Sequence, residues 1–178
     1  MILNPILKIN QIGESPVEPD KADFKKTEGF RLPTEVEWEW FARGGEVAIQ
    51  DGIFDKKYSG SDNPDKVAWY TDNSEKQTHS VGTKNPNQLG LYDCSGNVWE
   101  WCYDTATILN NTEWKNTPKE ILYLYDERTN RALRGGSWKN HTNRYHSDYF
   151  DLFQRYFSMG NEATYAYYNI GFRIVRTV

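Results

Sequence analysis

The sequence predicts an α+β domain with one well-marked helix, several short strands and much irregular loop. A capping pattern followed by a glycine pair marks the helix at 33–45. Aromatic segments at 90–104, 121–125, 131–138 and 171–176 are predicted to be strands, because aromatic and β-branched residues suit a half-buried pleated surface. Residues 46–87 are rich in Gly, Asp, Asn and Pro, which predicts loop with a few ordered turns.

Composition indicates one domain with an aromatic core. The chain has 178 residues, 15% of them aromatic, with seven Trp and twelve Tyr. Its net charge of -4 argues against nucleic-acid binding, which needs a clustered basic face. No apolar run reaches the roughly 18 to 20 residues that a membrane span needs. Residues 1–13 lack the basic lead and cleavage site of a secretory signal.

The predicted helix follows residues 1–29, whose mixture of prolines, acids and lysines makes a weak core, and we expect this stretch to be an N-terminal arm. Thr34 is placed to cap the helix, and Glu37 stands three residues on, as in a capping box. Gly44 and Gly45 are expected to end it. The side chains predicted to face the core are Val36, Trp40 and Phe41.

Four ordered segments carry a resemblance to a known family. FRLPTEVEWEWFARGG (30–45), GLYDCSGNVWEWC (90–102), RALRGGSW (131–138) and GFRIVR (171–176) resemble the formylglycine-generating-enzyme family. The resemblance implies a C-type lectin fold with a small twisted antiparallel sheet, two helices and much irregular loop, over residues 30–178. The family's glycine-rich opening is not found here, so 1–29 is either the arm of a trimmed variant or a remnant whose upstream sequence was removed.

The same resemblance bears on catalysis. In the oxidase members two cysteines shortly after the GGS motif bind copper, and the matching positions here are Asn140 and Tyr145. An amide and a phenol cannot replace two thiolates for copper(I), so we expect no oxidase activity and no catalytic residues. Another branch holds iron with histidines, for which His141 and His146 alone would make a weak site. The alternatives are an oxidase or oxygenase of this family and a structural lectin-fold module.

Cys94 and Cys102 flank the SGNVWEW segment. A separation of eight positions allows a disulfide between them, but buried free thiols are the simpler explanation. They lie far along the chain from the copper positions, so they do not restore the oxidase site.

We expect no cofactor, and calcium is the alternative that the resemblance leaves open. Some family members bind it where Asn97 and Glu100 stand in GNVWEW. Because calcium takes about six to eight oxygens, two side chains form an incomplete site. Alternatively, Asn97 adopts a left-handed turn after Gly96, while Glu100 pairs with an arginine such as Arg134 or Arg173.

The segment 140–168 has the composition of a binding surface. Tyr and Phe alternate irregularly with Asn, Asp, Ser and His, as in antibody loops, without a period of strand or helix. The alternative is that these aromatics fill the core. The predicted ligand-binding residues are Asn140, His141, Asn143, Tyr145, Ser147, Asp148, Tyr149, Asp151, Phe153, Tyr165, Tyr167 and Tyr168.

The segment also resembles the variable region of diversity-generating retroelement proteins, here about 138–170. In those proteins the adenines of asparagine codons are randomised, which yields Tyr, His, Asp, Ser, Thr, Phe and Leu. The resemblance implies a non-catalytic, hypervariable protein that is a monomer and binds a protein or cell-surface ligand, at the cell surface or outside the cell.

Overall fold

The computed structural model describes residues 29–105, 131–141, 156–157 and 168–176. Within them the helices are α1 (Glu35–Ala42), α2 (Gly45–Gln50) and α3 (Pro64–Val67). The strands are β1 (Phe30–Arg31), β2 (Ala68–Trp69), β3 (Ser95–Gly96), β4 (Trp99–Thr105), β5 (Arg131–Arg134), β6 (Tyr156–Phe157), β7 (Ile170–Gly171) and β8 (Val175–Arg176). The predicted α+β class with much irregular loop is confirmed, while the predicted arm and the predicted strand at 121–125 lie outside the described residues.

Helix α1 begins as the sequence predicts. The Thr34 hydroxyl accepts from the Glu37 amide, and the Glu37 carboxylate accepts from the Thr34 amide at 2.8 Å, which completes the capping box. Arg31 clamps the same carboxylate with two hydrogen bonds of 2.6 Å. Burial raises the pKa of Glu37, but the hydrogen bonds and charge of Arg31 outweigh it and leave that pKa below its ordinary value.

The buried face of α1 differs from the prediction. Trp38 and Ala42 are fully buried beside Phe41, whereas Val36 and Trp40 are about half exposed. Trp38 is the buried tryptophan because its indole finds a hydrogen-bond acceptor in the core: the Nε1–H donates to the buried Glu100 carboxylate at 2.7 Å. The predicted core position is therefore right for Phe41 and wrong for Val36 and Trp40.

Two further helical segments lie where the sequence predicts loop. Gly44 does not simply end α1; with φ of 91° it caps the start of α2. The positive φ favours glycine here, and an added Cβ would also lie 2.8 Å from the Ala48 Cβ in the first turn of α2. Helix α3 is short and is started by Asn63, whose side chain accepts from the Asp65 amide.

The strands form three small sheets. The largest has the order β6-β5-β4-β7, with antiparallel β6-β5-β4 pairs and a parallel β4-β7 pair. The other two are antiparallel β1-β8 and parallel β2-β3. The predicted single strand at 171–176 is therefore two strands in different sheets, and parallel pairs accompany the predicted antiparallel ones. None of the helices in the described ranges is long and apolar enough to cross a membrane.

Gly96 allows β2 and β3 to pair closely. Its φ is +74°, and a Cβ there would lie 2.3 Å from the Trp69 carbonyl oxygen. The short strand β3 therefore needs glycine where its backbone approaches that of β2.

The core lies between α1 and the four-stranded sheet. Its main cluster contains Trp38, Phe41, Ala42, Cys94, Cys102 and Ala132. Both cysteines are buried free thiols, which confirms that alternative to a disulfide. Burial raises the pKa of Cys94 to about 12.

Buried charges join the helix to the sheet. Arg134 is fully buried and pairs with Glu35 at 2.9 Å and with Glu39 at 3.0 Å. Its guanidinium also lies 5.0 Å from the centre of the Trp38 ring. Such a network fixes the docking of α1 on β5, because breaking it would leave a buried charge uncompensated.

Candidate ligand-binding surface

The RGGSW segment ends β5 in a closed turn. The Asn140 side-chain oxygen accepts from the amide and the hydroxyl of Ser137, each at 2.8 Å, and the Asn140 amide donates to the Ser137 carbonyl. Asn140, the first of the two copper-site positions in the family comparison, therefore holds its own turn together. The other position, Tyr145, lies outside the described residues.

A second loop, 70–76, is bound to this turn. The Thr71 amide donates to the Asn140 carbonyl at 3.0 Å, and the buried Ser74 hydroxyl donates to the Trp138 carbonyl at 3.0 Å. His79 contacts the Ser74 carbonyl through Nε2 at 2.8 Å and stacks on Trp69 with 3.7 Å between ring centres. These contacts preform the backbone on one side of the surface.

The far end of the predicted variable region returns to the same place. The Tyr168 ring lies 6.0 Å from the Trp138 ring, and Lys139 donates to the Tyr168 hydroxyl. Next to it, Asn169 reaches the Ser137 hydroxyl at 3.4 Å, and its carbonyl accepts from the Trp99 amide at 2.9 Å. The two ends of the segment 140–168 are therefore clamped side by side.

An open pocket of ≈ 230 Å³ lies at this clamp, between the 70–76 loop and the 137–140 turn. Thr71, Ser74, Lys76, Trp138 and Lys139 line it. The three residues from the 70–76 loop are not among the predicted ligand-binding residues. A run of turn-forming residues was the only local signal, and their approach to Trp138 depends on contacts more than 60 positions apart.

Three of the predicted ligand-binding residues are described. Asn140 is partly buried in its turn, while His141 and Tyr168 are exposed, Tyr168 by 66%. The His141 Nδ1 lies 3.9 Å from the Asp72 carboxylate. The remaining nine predicted residues lie outside the described part of the chain: Asn143, Tyr145, Ser147, Asp148, Tyr149, Asp151, Phe153, Tyr165 and Tyr167.

The predicted calcium pair has protein partners. Asn97 has a left-handed φ of 62°, and its side chain makes two hydrogen bonds with the His79 backbone. Glu100 is buried, accepts from Trp38, and receives two bonds of 2.5 Å from Arg173. This is the predicted alternative to calcium, in which Asn97 forms a left-handed turn and Glu100 pairs with Arg173.

In this arrangement a calcium ion would have to displace Arg173 from the Glu100 carboxylate. No cluster of three or more His, Cys, Asp or Glu suited to a metal occurs among the described residues. Calcium binding at this pair stays a prediction.

The fold and its motifs define a domain of the formylglycine-generating-enzyme type. The chain belongs to the sulfatase-modifying factor enzyme 1-like domain family, whose model matches residues 9–178. It is 37% identical over 132 residues to the chaperone protein LppX of Paenibacillus barcinonensis, covering 65% of this chain and 40% of that protein. It is 31% identical over 137 residues to the formylglycine-generating enzyme of Streptomyces coelicolor, covering 71% and 42%.

Solved structures show the same relationship. Treponema denticola variable protein 1 superimposes with a TM-score of 0.68 at 30% identity, covering 94% of this chain and 61% of that one. The crystal structure of CarF gives a TM-score of 0.64 at 31% identity, covering 86% and 49%. The resemblances to the enzyme family and to variable proteins are thus confirmed, and the chain spans about 40% of the length of the two curated relatives above.

Proposed function

We propose that this domain is a non-catalytic binding module whose C-terminal surface is diversified by a retroelement to recognise varied macromolecular targets, above all proteins. The likeness to a variable protein over 94% of the chain carries the proposal. Two features of this chain support it. The segment 140–168 has the composition of an antibody loop, and its two ends are clamped together by Trp138, Lys139 and Tyr168.

The clamp matters because diversification needs a backbone that does not depend on the side chains it carries. On one side the Asn140 turn is bound to the 70–76 loop, and on the other Asn169 is bound to β4 through Trp99. Sequence changes within 141–167 would leave these anchors in place, whereas changes at Asn140 or Tyr168 would remove side chains that form part of the clamp. Affinity for a given target would then depend on a few aromatic side chains, each worth roughly 2 kcal/mol or more.

Stability measurements test whether the segment is surface or core. Tyr145→Ala and Tyr167→Ala should leave the melting temperature nearly unchanged, whereas truncation of the buried Trp99 should cost about 3 to 5 kcal/mol. If the two tyrosine variants unfold as readily as Trp99→Ala, the segment is core and the binding proposal fails.

The retroelement part of the proposal is tested at the gene. A neighbouring reverse transcriptase, and an imperfect repeat of the 3′ end that differs at adenines, are expected. If the locus has neither, and related copies of the gene differ evenly along their length, diversification is refuted and only the binding module remains.

A separate experiment tests for oxidase activity, because the family includes formylglycine-generating enzymes. The protein is incubated with copper and a cysteine-containing sulfatase peptide, and the product is assayed for aldehyde. Asn140 in place of a thiolate predicts none. Sustained aldehyde formation above that of a copper-only control would overturn the non-catalytic assignment.

A further inference from the structure

We infer that the pocket between the 70–76 loop and Trp138 receives a neutral aromatic side chain, Phe or Tyr, of the protein ligand. The inference deepens the proposed function and rests on it for the existence of such a ligand. It adds the kind of side chain that this chain would recognise at one point of its surface. It also brings into ligand binding Thr71, Ser74 and Lys76, which lie outside the predicted variable region.

The accessible wall of the pocket is apolar almost throughout. Its polar groups are buried or turned to protein partners: the Trp138 Nε1–H and the Thr71 hydroxyl are buried, and the Ser74 hydroxyl donates to the Trp138 carbonyl. The Lys139 ammonium donates to the Tyr168 hydroxyl. A carboxylate, an amide or a sugar would lose its water here without gaining hydrogen bonds, so the wall favours an apolar occupant.

The charge beside this wall favours an aromatic ring among apolar occupants. The Lys139 ammonium lies 5.5 Å from the centre of the Trp138 ring and 4.7 Å from that of the Tyr168 ring. An ammonium within about 6 Å attracts the negative face of a ring, whereas an aliphatic side chain offers it nothing comparable. A ligand ring beside Trp138 would also gain the contact that aromatic pairs prefer. Since Lys76 and Lys139, the charged members of the lining, are both positive, a ligand Arg or Lys would be repelled.

Size and rigidity restrict the occupant to one side chain. At ≈ 230 Å³ the pocket is smaller than the roughly 300 to 1,000 Å³ of sites for drug-sized molecules. Glu75 and Lys76 have left-handed φ angles of 53° and 59°, which persist in residues with side chains only where the surroundings enforce them. Hydrogen bonds from Thr71 and Ser74 to the 137–140 turn hold this loop in place. The wall is therefore fixed before a ligand arrives, which lowers the entropic cost of binding.

The test is an NMR titration of the whole chain with three peptides, acetyl-Gly-Phe-Gly-amide, acetyl-Gly-Leu-Gly-amide and acetyl-Gly-Glu-Gly-amide. The methyl signal of Thr71, assigned by its loss in Thr71→Ser, reports on the pocket. We expect the Phe peptide to shift this signal through the ring current of the bound ring, and to bind about fivefold more tightly than the Leu peptide. The Glu peptide should leave the signal where it is.

Variants separate the shape of the wall from its charge. Lys76→Asn removes an aliphatic stem from the wall but tolerates the left-handed conformation, and it should weaken binding of the Phe peptide about threefold. Glu75→Asn is the matched control, because Glu75 has the same conformation in the same loop without lining the pocket, and it should bind normally. Lys139→Met keeps an unbranched apolar chain and removes the ammonium, so the preference for Phe over Leu should fall about threefold.

Several results would overturn the inference. These are an unshifted Thr71 methyl signal at the highest concentration of the Phe peptide, equally tight binding of the Leu or the Glu peptide, an equal loss in Glu75→Asn, and an unchanged preference in Lys139→Met. Each of these leaves the proposed function standing, because the gene locus and the stability of the tyrosine variants test that function separately.

Discussion

Replacing Glu100 by Gln tests the contact on which the helix, the central strand and the C-terminal GFR segment converge. The substitution keeps the size of the side chain and an acceptor for the Trp38 indole. It removes the charge that faces Arg173, whose two nitrogens lie 2.5 Å from the carboxylate oxygens. Burial alone would lower the pKa of Arg173, but the hydrogen bond and charge of Glu100 raise it above the ordinary value.

The expected loss follows from burial. The Glu100 side chain is 7% exposed and that of Arg173 21%, so Glu100→Gln leaves a largely buried cation without its partner. Removing one member of a buried pair costs about 3 to 5 kcal/mol. In a domain of this size that corresponds to a fall in melting temperature of roughly 10 °C.

Asp62→Asn is the control. Asp62 also pairs with a cation, Lys56, but the two side chains are 60% and 36% exposed, and Asn keeps an oxygen that accepts from the Lys57 amide. It should cost no more than about 1 kcal/mol. Both variants are compared by urea denaturation, with the slope of the transition as a check on two-state unfolding. If Glu100→Gln loses no more stability than Asp62→Asn, the buried pair does not hold the GFR segment. A melting temperature raised by calcium in the wild type but not in Glu100→Gln would establish the metal site instead.

Three further outcomes are expected. Trp38→Ala should cost about 3 to 5 kcal/mol in denaturant titration, well above the half-exposed Trp40→Ala; equal losses would mean that the wrong helix face is assigned to the core. Gly96→Ala should lower the melting temperature far more than Gly52→Ala. Both glycines have positive φ, but only at Gly96 would the added Cβ lie within 3 Å of other backbone atoms. Similar melting temperatures for the two variants would contradict this close approach. The raised pKa of Cys94 means that the neutral thiol stabilises the fold fully below pH 9.0, and that this contribution is lost as the pH rises toward about 12. The folded protein is treated with maleimide at pH 9.0, and labelled sites are located by peptide mass spectrometry. Rapid labelling of Cys94 would refute the raised pKa.

Features set by neighbouring residues could be predicted from the sequence. The start of α1 depends on Thr34 and Glu37, which lie within one turn of each other, and the structure has the predicted capping box. The left-handed turn at Asn97 follows directly after a glycine, and the sequence predicts this conformation as the alternative to a calcium site. The motifs at 30–45, 90–102, 131–138 and 171–176 likewise led to the correct family.

Features set by distant residues were decided only by the tertiary structure. Spacing along α1 allowed either Trp40 or Trp38 to face the core, and the choice fell to Trp38 because its N–H finds Glu100, 62 positions away. Helix α2 was missed because a glycine pair is a local signal for the end of a helix, while Gly44 in its left-handed conformation also caps the start of a second helix. The pocket joins Thr71, Ser74 and Trp138 through hydrogen bonds between loops, and hydrogen bonds across such separations leave no periodic pattern in the sequence.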